Sequence, residues 1–528
     1  MGAWWDGAVC YQIYPRSFAD SNGDGIGDLP GITAHLDHLA WLGIDAVWLS
    51  PTFPSPNADW GYDVADYLGV HPELGTQDDL DALLAAARER GIAVLLDLVP
   101  NHTSTAHAWF EDSRSSRTAA HRDWYVWADP RSGGGPPNNW VSSFFGPAWT
   151  LDERTGQMYL HNFLPEQADL DWWNDDVRGE FDRILRHWFD RGVAGFRIDV
   201  AHMIVKDRDL RDNPPAGPDD SVLAQLRGQV ARYNSNRPEV HDVHRRWRCL
   251  ADGYDPPRLL VGETFVDRLE DVIPFYGAGD ELGLAFNIPF LQAPFDAATL
   301  AELVARTERL LPEACSPVWT GSNHDVSRLP TRWAAGSPAM TRCALMMLLT
   351  LRGTAFLYYG DELGMPDTDV PRERLLDPVS IRFAPVHNRD AARTPMPWHG
   401  GAGAGFTAPG VEPWLPFGDI ARCNVADQRD DPSSTLHLVR DLVALRRELD
   451  DLRTGAYAPL ASDDTLWAWR RGTSVVVAFN LADDAATLDD VQGTIRVCTD
   501  RARDGERVDG ALRLGPREGA VTLLQPSM

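Results

Sequence analysis

The chain has 528 residues, 44% hydrophobic and 24% charged, an ordinary globular composition with room for one large domain and smaller ones attached. Its 77 acidic against 49 basic side chains give a net charge of −28, which disfavours nucleic acid and anionic membranes and suits a neutral substrate. Six scattered cysteines without a CxxC spacing argue against a zinc site or a disulfide framework. With no export signal at the start and no run near 18 uninterrupted apolar residues, the expectation is a cytoplasmic protein with no membrane partner.

Strand-like and helix-like segments alternate from the start. Residues 8–15 (AVCYQIYP) read as a first strand, and 32–42 as a helix with Leu36, Leu39 and Leu42 at helical spacing and Gly43 as its stop. Residues 45–51 are a second strand. Residues 77–90 are a helix with acidic residues early and arginine late, as the helix dipole favours, and 92–99 are a third strand. From 101 to 171 the text turns rich in Trp, Gly, Pro and Asn, an aromatic-laden insertion rather than a linker. A helix at 175–191 and a strand at 194–200 resume the alternation. A long polar segment, 202–257, holds one helix candidate at 221–233 and precedes a strand at 258–264. Further strands are expected at 284–290, 317–322 and 354–359, with helices at 300–311 and 340–351.

Eight strands alternating with helices predict the α/β class: a parallel (β/α)8 TIM barrel with a loop-rich insertion after strand 3. After a helix at 437–449, short runs at 466–471, 474–479, 486–488, 493–498 and 520–524 predict a C-terminal antiparallel β domain. The division is 1–100 for the first part of the barrel, 101–172 for the insertion domain, 173–452 for the rest of the barrel and 453–528 for a β-sandwich domain.

Barrel enzymes build their active site from the carboxyl ends of the strands. Polar residues gather there: Asp97 with Asn101 and His102, Arg197 with Asp199, Glu263, and His324 with Asp325. On the 194–200 strand, Phe196, Ile198 and Val200 point one way and Arg197 and Asp199 the other, so two opposite charges share a face and are costly unless paired. Three carboxylates without a Cys or His metal cluster point to acid–base and nucleophilic chemistry. A carboxylate pair suits glycosidic cleavage, one attacking the anomeric carbon and one protonating the leaving oxygen, with Arg197 holding Asp199 ionised. Twenty Trp, 19 Phe and 12 Tyr serve packing and also offer faces for sugar rings to stack on. In DSNGDGIGD, Asp20, Asn22, Asp24 and Asp28 with the Ile26 carbonyl place oxygens at alternating positions around turn glycines, a spacing that suits Ca²⁺ or Mg²⁺; an Asx-rich turn without metal is the alternative.

At this point the chain resembles glycoside hydrolase family 13, the α-amylase family, and within it the α-glucosidase and oligo-1,6-glucosidase group. The resemblance rests on QIYPRSFADSNGDGIGDLPGI, DLVPNHTS, EQADLDWWN, GFRIDVAHM, GETF, GSNHDVSR, FLYYGDELGM and RTPMPW, in the family's order. It implies catalytic roles for Asp199 as nucleophile, Glu263 as general acid/base and Asp325 as the third carboxylate. It implies substrate contacts from Asp59, Tyr62, His102, Phe163, Gln167, Arg197, His324 and Arg389. It also implies a structural, non-catalytic divalent cation at Asp20, Asn22, Asp24, Ile26 and Asp28.

The expected activity is that of a retaining, exo-acting α-glucosidase on short maltose-type α-glucosides, able to transglycosylate and acting as a monomer or homodimer. Alternatives are an oligo-1,6-glucosidase and a sucrose- or trehalose-converting glucosyl isomerase. Val200 after the nucleophile accompanies α-1,6 activity in the resembling group, whereas the following AHM departs from it. QADLD stands where QPDLN is usual, and the isomerase-type RLDRD sequence is absent from 371–385. A catalytically inactive, transporter-associated relative would have lost its carboxylates, and here all three are present.

Overall fold

The computed structural model describes residues 3–384, 387–463 and 465–525, so Met1 and Gly2 at the start and Pro385 at the end of the 371–385 loop lie outside the described residues. Eight parallel strands form the barrel: Val9–Ile13, Ala46–Leu49, Ala93–Leu98, Gly195–Ile198, Leu259–Gly262, Leu284–Ala285, Val318–Thr320 and Thr354–Tyr358. Their hydrogen-bonded order is sixth, fifth, fourth, third, second, first, eighth, seventh, a nearly closed ring. Inward-facing Cys10, Ala46, Trp48, Leu95, Leu259, Val261, Leu284, Val318 and Phe356 fill its interior, while Phe196, Ile198, Leu96 and Leu98 face the surrounding helices. Gly195 makes room on the fourth strand: a Cβ there would sit 2.1 Å from the Leu259 carbonyl oxygen and 2.8 Å from Leu95 Cδ2.

Register positions the chemistry. Asp97 is the ladder partner of Arg197, so opposite charges on adjacent strands stand level and on the same face. Val261 pairs with Arg197 and Gly262 with Ile198, which sets Glu263, the next residue, beside Asp199.

The insertion carries two small antiparallel sheets. His102–Ser104 pairs with Gln167–Asp169, while Gln157–Leu160 lies between Trp127–Ala128 and Trp149–Asp152. The first ladder brings Gln167 opposite Ser104 and holds the insertion's end against the top of the third strand. Helix Pro338–Thr350 is buried on every side from Cys343 onward, as expected of a helix covered by apolar neighbours all round. Among the described residues no helix is long and apolar enough to cross a membrane.

Several boundaries differ from the sequence reading. The 32–42 helix is two helices, Leu29–Ala34 and Leu36–Leu42. The His35 ring takes the Gly31 carbonyl at 2.8 Å while its own N–H turns to Ile32, which removes the bond that would have continued the helix. The 284–290 strand stops after Ala285: Asn287 caps a helix, Ile288–Gln292, and Pro289 lacks the N–H a ladder needs. The 221–233 helix shrinks to Val222–Arg227, ended by Gly228 at φ 72°. The same polar segment hides a full helix, Val240–Asp252, whose buried Val240, Val243, His244, Trp247, Leu250 and Ala251 follow helical spacing. At the C-terminus six strands are hydrogen-bonded in one antiparallel order. Residues 486–488 and 493–498 belong to one strand, Ala486–Cys498, whose first part pairs with Arg507–Leu514 and whose last part pairs with Glu518–Leu524. Tyr457–Ser462 and Arg507–Leu514 are strands that the sequence reading lacked.

Candidate active site

Arg197 is the centre of the site. Its Nη1 donates to Asp97 Oδ1 at 2.8 Å and to Asp199 Oδ1 at 2.9 Å, and its Nη2 lies 2.8 Å from Glu263 Oε2. The guanidinium stacks over Trp48, 5.0 Å from the ring centroid. One buried cation is thus shared among three carboxylates. Burial pushes Asp199 well above the ordinary carboxylate range; Arg197 pulls it down, while Glu263, Asp97 and Asp325 add to the rise. Arg197 therefore does not hold Asp199 ionised unopposed, because its charge is divided. Burial likewise pushes Asp97 up to about 6 against the pull of Arg197.

Glu263 Oε2 also accepts the Val200 N–H at 3.0 Å. Val200 has φ 34°, a left-handed conformation that costs a β-branched residue about 1–3 kcal/mol. The chain turns sharply after Asp199, and that turn aims the amide at Glu263.

His324 is fully buried and stacks on Tyr62, ring centroids 5.4 Å apart and planes 7° from parallel. The Gln12 amide donates to its Nδ1 at 2.8 Å, which assigns the ring proton to Nε2, 2.6 Å from Tyr62 Oη and 3.1 Å from Asp325 Oδ2. Burial lowers His324 to about 3, so it is a neutral donor. Asp325 Oδ1 takes Arg389 Nη1 and Arg393 Nη2, both at 3.1 Å. Burial opposes the charge on Asp325, but His324, Arg389 and Arg393 outweigh it and hold the carboxyl far below its usual range.

Around this centre Arg389 Nη2 donates to Asp59 Oδ1 at 2.8 Å, and Gln167 Nε2 lies 3.1 Å from Asp59 Oδ2 and 3.0 Å from His102 Nε2. The Phe163 ring packs 5.1 Å from that of His102. Burial raises Asp59 to about 6 and lowers His102 to about 4. Through these contacts the structure joins Asp59, Tyr62, His102, Phe163, Gln167, Arg197, Asp199, Glu263, His324, Asp325 and Arg389 in one network.

Three residues bonded to that network have no role in the sequence reading: Asp377, Arg393 and Asp97. Asp377 accepts both Arg389 Nε, at 3.1 Å, and Arg393 Nη1, at 3.3 Å. Arg393 opens the RTPMPW motif, and its Nε reaches the His324 carbonyl at 2.8 Å. Asp97, at the end of its strand, gains its role from its register opposite Arg197. Burial opposes the charge on Asp377, yet Arg389 and Arg393 bring its pKa down to about 2. An aspartate ordinarily near 3.9 that titrates at about 2 when folded contributes roughly 2 kcal/mol. That contribution is complete above about pH 4 and is lost as pH falls through 2. Asp377→Asn is expected to lower stability at pH 7 by about 3 kcal/mol or more, since it leaves two arginines short of a partner. Urea unfolding at pH 7 and at pH 2.5 checks this, with the gap between variant and parent narrowing at the lower pH.

The 20–28 loop lies apart from this network. Asp20 Oδ1 accepts the N–H groups of Asn22 and Gly23, Asp24 Oδ1 accepts that of Ile26, and Asp28 caps the next helix through the Gly31 N–H. Its glycines admit close packing: a Cβ on Gly25 would sit 2.3 Å from the Glu412 carbonyl oxygen. The donor set is all oxygen, as a hard cation requires, and the same oxygens hold the loop's own turns.

The comparisons with known proteins agree with this geometry. Residues 12–455 match the family model for the α-amylase catalytic domain. A probable α-glucosidase of Rhizobium meliloti is 42% identical over 92% of this chain and 90% of its own length. An oligo-1,6-glucosidase of Heyndrickxia coagulans is 37% identical over 93% and 94%. Among solved structures, an α-glucosyl transfer enzyme superposes with a TM-score of 0.92 at 41% identity, covering 99% of this chain and 100% of its own. With matches of that extent over a barrel whose strand ends carry the three carboxylates, the chain belongs to glycoside hydrolase family 13, the α-amylase family, among its α-glucosidases and oligo-1,6-glucosidases.

Proposed function

We propose that this glycoside hydrolase is a retaining, exo-acting α-glucosidase that removes glucose from the non-reducing end of short α-glucosides and transfers part of it to other sugars. One observation carries the reading: a single guanidinium bridges Asp199 and Glu263. Two carboxylates held on the two terminal nitrogens of one arginine are kept near each other, which supports covalent double displacement, whose carboxyl pair stands about 5 Å apart.

In this reading Asp199 attacks C1 as Glu263 gives its proton to the leaving oxygen, so the glycosidic bond breaks as a carboxylate–C1 bond forms. Glu263, now a carboxylate, takes a proton from water or a sugar hydroxyl, whose oxygen attacks C1 and restores free Asp199. Asp325, neutral His324 and His102 meet the hydroxyls of the bound glucose, and Asp59 with Arg389 closes the pocket behind it, which favours removal of one terminal unit. Transfer and isomerisation differ from hydrolysis only in which nucleophile reaches the glucosyl enzyme. The α-glucosyl transfer enzyme and a trehalulose synthase at 31% identity and TM-score 0.91 share this fold.

Initial rates on α-1,1, α-1,2, α-1,3, α-1,4 and α-1,6 glucose disaccharides and on sucrose test the reading. Maltose is expected to be cleaved fastest, with glucose released as its α anomer. Isomaltose as the best substrate would replace this reading by the oligo-1,6-glucosidase one, and conversion of sucrose to an isomer by the isomerase one.

We also propose a structural Ca²⁺ or Mg²⁺ in the 20–28 loop, supported by its all-oxygen donor set. A site held at a hundredfold excess over its Kd stabilises by about 2.7 kcal/mol. EDTA should therefore lower the unfolding midpoint and added Ca²⁺ or Mg²⁺ restore it, with kcat unchanged well below that midpoint. A midpoint indifferent to both chelator and cation would leave the loop a metal-free Asx turn.

A further inference from the structure

Away from the active site, helix Val240–Asp252 presents His241 and His244 one turn apart to Glu281, in the loop before the sixth strand. One ligand atom from each of the three lies within 4.8 Å of the other two. His241 Nδ1 is 2.7 Å from Glu281 Oε2, and the other carboxylate oxygen is fixed by Arg245 at 2.7 Å. His244 is fully buried, and its ring meets the Ala201 backbone without reaching good hydrogen-bond geometry at either nitrogen. A buried imidazole so weakly satisfied costs part of the about 1–3 kcal/mol of an unpaired polar group, so its place asks for a reason. Burial keeps it neutral, with its pKa lowered to about 3. The loop is fitted closely to the carboxylate: Gly277 at φ 57° leaves room that a Cβ would fill, 2.8 Å from Glu281 Cγ.

We propose that His241, His244 and Glu281 bind one divalent transition-metal ion of the Zn²⁺ class. Two neutral imidazoles and one carboxylate are a set that Zn²⁺ takes with bonds of about 2.0–2.2 Å, leaving its fourth position to water. At those lengths tetrahedral ligands stand about 3.4 Å apart, so His241 and Glu281 separate slightly as the ion enters. The ion takes the place of the proton between Nδ1 and Oε2, and the neutral His241 ring then carries its one N–H on Nε2, with no net loss of a proton. Arg245 keeps Oε1 and so orients the carboxylate, the part an outer hydrogen-bond partner plays in metal sites. The His241 side chain, 19% exposed, gives the ion its way in. The proposal is independent of the glycosidase reading.

The test uses the full chain, stripped with chelator and titrated with Zn²⁺ against a chromophoric competitor, in parallel with His241→Gln and Glu281→Gln. The expected result is one tight equivalent in the parent chain and binding weaker by more than about 100-fold in each variant, beyond the ~10–100-fold effect of losing only an outer partner. Co²⁺ should give the intense visible bands of a four-coordinate ion in the parent and not in His241→Gln. His241 is partly exposed, so that variant keeps its fold, which far-UV circular dichroism checks. No tight equivalent in the parent chain, or equal affinity in parent and His241→Gln, would overturn the proposal.

Discussion

Replacing Asp199 by alanine is expected to leave less than about 10⁻⁴ of the parent kcat on p-nitrophenyl α-glucoside, the scale on which an enzyme loses its nucleophile. The fold should persist. Asp199 is one of three carboxylates on Arg197, and removing it relieves like-charge crowding while Asp97 and Glu263 still hold the guanidinium. The unfolding midpoint is therefore expected to stay level or rise, as when a strained functional group is removed. The alanine also opens the face of C1 that the carboxylate occupied. Azide entering there, with Glu263 still the acid, should give β-glucosyl azide. Ordinary hydrolysis by Asp199→Ala, or an azide product of α configuration, would show that another group attacks.

Glu263→Gln should give the opposite signature. The amide is nearly the same shape, and its oxygen can still accept the Val200 N–H, so the turn after Asp199 is preserved. Without a transferable proton, cleavage of maltose should fall by about 10²–10⁴, whereas α-glucosyl fluoride, whose leaving group needs no proton, should glycosylate Asp199 at a rate close to the parent's. Azide should now intercept the glucosyl enzyme from the other side and return α-glucosyl azide. Equal losses on maltose and on the fluoride would remove Glu263 from the acid role. Together the two variants assign each carboxylate by the anomer that its absence produces.

The strand ends were legible because their information is local. Strict alternation in GFRIDV put Arg197 and Asp199 on one face, and the parallel register did the rest by setting Asp97 level with Arg197. The clamp behind Arg389 was not legible. Asp377 reaches both arginines only because of the path taken by the loops after the eighth strand, and nothing in RERLLDPVS marks that aspartate as different from its neighbours. Helix Val240–Asp252 was hidden for another reason: its apolar stripe is narrow and interrupted by His244, so overall polarity masked a helical period that burial makes plain. Where the sequence read one helix at 32–42, a single side chain decided otherwise, the His35 ring taking the carbonyl that helical continuation needed.

The sharing of Arg197 among Asp97, Asp199 and Glu263 has a consequence for selectivity along the reaction path. Such a floor gains little from a neutral glucoside in its ground state. As the glycosidic bond stretches, positive charge builds on C1 and the ring oxygen, and the carboxylates then find the counter-charge that one arginine could not supply. Attraction grows with progress toward the transition state and fades once the sugar is neutral again, which is differential binding in its simplest electrostatic form. Protonated amines the size of a sugar carry that charge permanently, and are expected to bind this floor more tightly than the neutral sugars they resemble.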